Sequence, residues 1–510
     1  MGIVLGVSGS LRNARFGAGS VALVAEIKRI ASTDDLTQYL EAQTKIRLED
    51  FIQAGRDREL PFDQIHRNLR KAKGDRGLSN SEAALAAGLW GAAQAGAEIR
   101  HCGLSRYFPM TGQAVNLDEL RELVLQADSL LISGPVYFGD RGSPVHEFIE
   151  FLRSDPRCFA HVRGKLYAGI AVGAKRNGGQ ETTLIYQMVD MANLSMLVVG
   201  NSGDNTAQYG GTTCAGDVGT LHRDDYGIET AIATGKRLGA CLRQQELGRT
   251  VRIDGQIRIG VWMLQDVVNK RGLDYVTNLC AEIESNLPEV SFDIRDFSES
   301  EIYRCIACDV CPIELGSHEE YRCIIKSEKD LFVEQHRNLV GVDALLLGAY
   351  SPTNRDSVRS VYQRFIERTR YLRRDDYALA DRLAAPLVIS EVGSNQNLHV
   401  RMLTSLVRHQ TILHHPILGF EYQGDVLTSD RMIADATSFA KCALQLTAGR
   451  VARSGAEASE KAYNPVGYQV SAAEREAQEA VGVVARLRSE RSERHEKEQA
   501  QRIIATGTRS

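Results

Sequence analysis

Apolar residues along the first half of the chain gather into short continuous runs separated by longer stretches of helical period. The runs lie at residues 3–8, 98–104, 129–136, 165–172 and 195–200. Apolar positions follow one another there instead of alternating with polar ones, which predicts strands covered on both faces. The stretches at 81–96, 117–126, 144–153, 181–193 and 228–247 carry the helical period. Five strands alternating with five helices predict a doubly wound parallel sheet. After Gly248-Arg249-Thr250 the rhythm restarts, with strands expected at 257–264, 290–297, 343–350, 386–392 and 417–422. Helices are expected at 267–285, 330–339, 358–370, 398–409 and 429–447. Pro135 stands 13 residues before Phe148-Ile149, and Pro352 stands 13 residues before Phe365-Ile366. The pattern therefore predicts α/β architecture as two tandem copies of one five-stranded fold, at 1–248 and 255–447.

Two segments fall outside this rhythm. Residues 13–77 interrupt the first copy between its first strand and first helix. They are charged and helix-prone, with Leu36, Leu40, Ile46, Leu48, Phe51 and Ile52 as the apolar positions, and predict a helical insertion. Residues 448–510 predict a C-terminal helical extension. Its charged stretch, 472–502, carries a thin apolar stripe of Val481, Val484 and Leu487, which suits an exposed helix lying on its own protein or on a second subunit.

Composition narrows the function classes. The chain has 510 residues, 61 Lys plus Arg against 65 Asp plus Glu, and a net charge of −4, which gives no footprint for nucleic acid or an anionic membrane. No apolar run approaches the ~18 residues that span a bilayer. The start, Met1-Gly2-Ile3-Val4-Leu5-Gly6, lacks a basic leader and reads as a strand, so a cytoplasmic location is expected. Of ten cysteines, Cys102, Cys158, Cys214, Cys241, Cys280 and Cys442 are scattered, as reduced buried thiols usually are. The other four, Cys305, Cys308, Cys311 and Cys323, crowd together as metal or redox cysteines do.

Three loops of the first copy follow the carboxyl ends of strands, where open α/β sheets bind ligands. Ser8-Gly9-Ser10-Leu11-Arg12 offers hydroxyls and backbone amides to an anion, and Ser79-Asn80-Ser81-Glu82 offers a helix start with similar chemistry. With the insertion looped out, the two pieces would form one phosphate cradle. Gly134-Pro135-Val136-Tyr137-Phe138-Gly139 places two aromatics at the sheet edge, where a flat ligand could pack or where they could simply close the core. Gly173-Ala174-Lys175-Arg176-Asn177-Gly178-Gly179-Gln180-Glu181 is glycine-rich and carries two positive charges.

This set of loops resembles the flavodoxin-like NAD(P)H-dependent FMN reductases, and within them the iron-sulfur flavoprotein branch. The resemblance covers residues 1–248 apart from the insertion, which is a departure from the family pattern inside the phosphate site. It implies that Ser8, Ser10, Arg12, Asn80 and Ser81 hold the FMN phosphate. It also implies that Pro135, Val136, Tyr137, Phe138 and Gly139, with Gly173, Arg176, Gly178 and Gly179, border the flavin ring, with Tyr137 and Arg176 placed to tune it. Hydride transfer from NAD(P)H to a flavin needs no protein acid or base, so no catalytic side chain is assigned.

The second copy differs at the corresponding places. Its first loop, Met263-Leu264-Gln265-Asp266-Val267-Val268, has no glycine or hydroxyl for phosphate, and Ser351-Pro352-Thr353-Asn354-Arg355 lacks the aromatic pair. It is expected to have lost FMN. Cys305, Cys308 and Cys311 form C-x2-C-x2-C, followed by Cys323, a set of four thiolates suited to a 4Fe-4S cluster. Structural zinc and a redox thiol group are the alternatives. The iron-sulfur flavoproteins carry a similar motif with a shorter gap before the last cysteine. His414-His415 and the basic run 370–374 read as solvated surface.

These readings lead to a flavin and iron-sulfur oxidoreductase, with electrons passing from NAD(P)H through FMN to a small-molecule acceptor. A module serving a protein redox partner is one alternative, and a plain FMN reductase clamped by zinc is another. The resemblance also implies dimers with the flavin near the subunit interface, which a tandem duplication can make inside one chain; a homo-oligomer is expected as well.

Overall fold

In a computed structural model of the chain, the described residues are 2–71, 76–203, 207–264, 270–308, 311, 320–353, 357–374, 377–394, 396–459 and 483–504. They divide into two units, Met1–Arg243 and Gln244–Ser510.

In the first unit the apolar runs pair as parallel strands: β1 (Ile3–Ser8), β2 (Glu98–Gly103), β3 (Ser129–Tyr137) and β4 (Leu166–Gly173). β1 lies between β2 and β3, with Val4 opposite both Ile99 and Ser129, and β4 pairs the far side of β3. The order β2-β1-β3-β4 with a fifth position beyond is flavodoxin-like. The expected fifth strand at 195–200 is not continuous. Leu197–Val198 pairs the start of β4 and Gly211–Cys214 pairs its end. Between them the chain leaves the sheet at Asn201, whose side-chain amide donates to the Gly210 and Thr230 carbonyls. A short hairpin strand, Asp140–Arg141, folds back antiparallel on β3.

Among its described residues the insertion carries the α-helices α1 (Ala18–Lys28), α2 (Thr33–Gln53) and α3 (Phe62–Lys71). Phe51, Ala54, Ile65, Leu69 and Val218 make a small core of their own beneath it. Of the apolar positions expected to anchor the insertion, Leu36, Leu40 and Phe51 are buried whereas Ile52 is exposed. The next helix, α4 (Asn80–Gln94), is apolar nearly all round because it is covered on several sides. Its backbone meets that of helix Asp225–Thr250 closely: a Cβ on Gly91 would overlap the Ile232 carbonyl.

In the second unit the strand Ile257–Met263 lies between Val290–Asp296 and Ala344–Ser351, and Leu383–Glu391 pairs beyond the latter. The next position is again divided, between Ile412–Leu413 and Ile417–Tyr422. Trp262, Phe365, Phe332 and Phe297 form an aromatic core. The C-terminal helix is described over Val483–Arg502, and Arg502 and Arg450 both bond Asp343, at 2.7 and 3.0 Å. This helix therefore lies against its own unit. The first loop at 265–269, Asn354-Arg355 and residues 460–482 lie outside the described residues, as do the side chains of Val484 and Leu487. Among the described residues no helix is long and apolar enough to cross a membrane.

Candidate functional site

The insertion enters and leaves the first unit at one place. Asn13 Oδ1 accepts from Ser8 Oγ at 2.9 Å and from Ser79 Oγ at 3.1 Å, so the two ends share one acceptor. The carboxylate of Glu82 accepts the backbone N–H groups of Ala14, Arg15 and Ser79, at 3.0, 3.1 and 2.9 Å. The Ser79 hydroxyl in turn accepts from Glu82 N, which makes a capping box at the start of α4. Burial pushes the Glu82 carboxyl up, while the three backbone bonds and Arg47 oppose that shift. Gly9 N donates to Ser133 O at 2.8 Å, tying the loop after β1 to β3.

Together these ties bring residues 9–12 alongside the first turn of α4, and both line a pocket of about 700 Å³ at the carboxyl edge of the sheet. That volume is in the range of small-molecule and cofactor sites. Ser79, Asn80 and Ser81 present a helix N-terminus to it, a place that favours anions. Pro135, Val136 and Tyr137 form a second wall with residues 141–144, and Val172, Gly173 and Ala174 a third. Arg47, Phe51 and Phe62 of the insertion also line it, with Ala215 and Val218. The Arg12 guanidinium lies 5.8 Å from the ring centres of both Phe51 and Phe62. A separate cavity of about 390 Å³ lies beside β2 and α1 and holds none of the expected site residues.

Of the residues singled out from sequence, Ser10, Arg12, Asn80, Ser81, Pro135, Val136, Tyr137 and Gly173 line this one pocket. Ser8, Phe138, Gly139, Arg176, Gly178 and Gly179 do not. The Ser8 hydroxyl is buried and spent on Asn13. Phe138 has φ of 52° and is fully exposed, so it projects from the sheet edge instead of closing the core. Gly139 and Gly179 press on each other, a Cβ on Gly179 falling 2.9 Å from Gly139 Cα, and so brace the two loops. Arg176 pairs with Asp224, donates to Thr212 O at 2.7 Å and lies over the Tyr226 ring, leaving the cavity without its charge. Sequence reasoning missed Arg47, Phe62 and Arg141. The available signal was Arg47 itself, standing in register with Leu36, Leu40 and Phe51 on the buried face of α2.

In the second unit Cys305, Cys308, Cys311 and Cys323 all line one small pocket, together with Ile324, Ile325 and Arg370. Among the described residues no group of three or more His, Cys, Asp or Glu is arranged to hold a metal ion. The donor set suits a thiolate-held cluster by its chemistry. Arg368 Nη1 donates to Cys323 Sγ at 2.8 Å, and the same guanidinium pairs with Asp330 and donates to Tyr321 at 2.6 Å. Residues 309–310 and 312–319 lie outside the described residues. The basic run is not uniformly solvated: Arg370 and Arg373 line a neighbouring cavity of about 300 Å³ with Arg408 and Cys305. His414 and His415 are buried too, with His415 Nε2 2.9 Å from Asp435.

Residues 75–207 match the NADPH-dependent FMN reductase family. That segment carries Asn80, Ser81, the end of β3 and Gly173, while residues 9–12 and the cysteine run lie outside it. An iron-sulfur flavoprotein of Methanocaldococcus jannaschii is 38% identical over 130 residues, which are 25% of this chain and 65% of that protein. An iron-sulfur flavoprotein of Methanosarcina thermophila is 28% identical over 142 residues, which are 28% of this chain and 70% of that protein. Among solved structures, a WrbA-like flavodoxin from Agrobacterium tumefaciens aligns over 48% of this chain and 99% of its own, at 16% identity and a TM-score of 0.25.

Proposed function

We propose that this chain is a flavin-dependent oxidoreductase that takes electrons from NAD(P)H through FMN held in the first unit. In this reading Cys305, Cys308, Cys311 and Cys323 would hold an iron-sulfur cluster, which would supply one-electron transfer chemistry toward a small-molecule acceptor. The observation that carries the reading is the 700 Å³ pocket, two of whose walls belong to the segment matching the FMN reductase family. Bound FMN would supply the exchange between a two-electron donor and one-electron acceptors.

The chain's own residues supply placement. Ser10, Arg12, Asn80 and Ser81, with the start of α4, would hold the phosphate. Pro135, Val136 and Tyr137 on one side and Val172, Gly173 and Ala174 on the other would bound the ring. Tyr137 is half exposed at the rim, where an incoming nicotinamide or acceptor would meet it. In the second unit the four thiols would ligate the cluster, with Arg368 donating an N–H to the Cys323 sulfur, a bond of the kind that tunes cluster potential. We read the shared strand order of the two units as descent from one duplicated ancestor, the first copy keeping flavin and the second keeping thiols.

The test is analysis of one anaerobic preparation of the full chain for flavin, iron, acid-labile sulfide and zinc, followed by NADPH oxidation with a quinone. Flavin with iron and sulfide, and turnover with the quinone, support the reading. Flavin with stoichiometric zinc moves the cysteines to a structural clamp. Turnover only with a protein acceptor makes the chain an electron-transfer module.

A further inference from the structure

We propose that Arg47, supplied by the insertion, is a phosphate-binding residue of the pocket, so that the insertion makes this site selective for the phosphorylated flavin. The inference rests on the flavin reading of the pocket and assigns to residues 13–77 a role in it.

The argument begins with the helix. On α2 the buried positions Leu36, Leu40, Thr44, Arg47 and Phe51 follow one another at helical spacing and share one face. An arginine in such a stripe is out of pattern, because arginines are almost never fully buried unless paired. Arg47 is only 2% exposed, yet its pairing is incomplete. Nη2 donates to the Arg12 carbonyl at 2.6 Å, while Nε and Nη1 have no hydrogen-bond partner. Neither nearby carboxylate bonds it: Glu82 accepts three backbone N–H groups, and Asp50 pairs with Arg76 through Oδ1 at 2.8 Å while its Oδ2 has no hydrogen-bond partner. A desolvated cation left so is costly, and an anion arriving in the pocket would offset that cost.

The side chain is also held in place. Its guanidinium lies 4.9 Å from the centre of the Phe51 ring. Behind it, a Cβ on Gly77 would fall 2.6 Å from Arg47 N, so the α2 backbone presses directly on the returning chain. Arg47 shares its pocket with the residue 9–12 loop and the first turn of α4, two features that independently favour an anion. Its unpartnered Nε–H and Nη1–H groups lie on different edges of the guanidinium, and each could donate a charge-assisted hydrogen bond to a phosphate oxygen.

The experiment titrates FMN and riboflavin, followed by flavin fluorescence, into full-length chain freed of flavin, for the unaltered protein, Arg47→Met and Arg47→Lys. The unaltered protein is expected to prefer FMN, and Arg47→Met to reduce that preference by about 10-fold or more, the scale of a lost charge-assisted contact. Riboflavin affinity should stay within about 3-fold, and Arg47→Lys should recover part of the preference, because lysine keeps the charge and loses the planar set of donors. An unchanged FMN-to-riboflavin ratio, or equal weakening of both flavins, overturns the inference by making Arg47 structural or idle. If Arg47→Met fails to fold, the ratio for Arg47→Lys decides: a fall supports the inference and an unchanged value overturns it. Failure of the flavin reading itself looks different, because then the unaltered protein binds neither flavin.

Discussion

Glu82 Oε1 accepts the backbone N–H of Ala14 at 3.0 Å, although the two residues stand 68 positions apart. That bond closes the insertion onto the start of α4 and lets two distant loops act as one wall. Glu82→Gln keeps the shape but leaves one of the three backbone donors facing an amide N–H. The expected cost is about 1–3 kcal/mol, the usual penalty for an unsatisfied buried group. Urea unfolding of the full chain checks this, and FMN affinity should fall with it. An unchanged midpoint would mean the insertion is held by other contacts.

Arg368 and Asp330 form an ion pair with side chains 1% and 0% exposed. Removing one partner of such a pair strands the other charge in the interior. Arg368→Met is therefore expected to destabilise the chain by about 3–5 kcal/mol. Adding Asp330→Asn should restore part of that loss. A double variant no better than the single one would show that the Cys323 and Tyr321 contacts carry the stability.

Burial brings His101 in the first unit, and His409 and His414 in the second, down to about 3 from the usual 6.5. Each stays neutral when folded and binds a proton when unfolded between those two values. Stability is thus present in full above the unfolded value and is lost as pH falls through that window. The slope is up to about 1.4 kcal/mol per pH unit for each group. Urea midpoints should stay nearly level from pH 7.5 to about 6.5 and fall from there to pH 5, and His101→Gln should flatten that fall. Stability that rises on acidification would contradict the burial of these rings.

The sequence made the sheet legible because its strands are doubly covered: continuous apolar runs such as Val4 to Val7 have no other simple reading. The fifth position was not legible, because its two halves are short and the detour at Asn201 depends on side-chain bonds to distant carbonyls. Ser10, Asn80, Pro135 and Gly173 could be picked out because strand ends in this architecture face the ligand edge. Arg176 was expected beside the flavin ring, yet its guanidinium pairs with Asp224, 48 residues on, a partner with no local signature. Arg47 was hidden in the opposite way, since a charged residue drops out of a list of apolar positions even when it occupies the buried face. The cysteines could be grouped from spacing alone, while the contact between Arg368 and Cys323 spans 45 residues and has no local signature.

The most direct measurement is the flavin content per chain of the full-length protein and of its Ser81→Asp variant. Ser81 lines the pocket at the first turn of α4, so an added carboxylate there would repel a phosphate without altering the second unit. The account predicts one FMN per chain in the unaltered protein and about a tenth or less in the variant. Flavin retained in full by Ser81→Asp would contradict it.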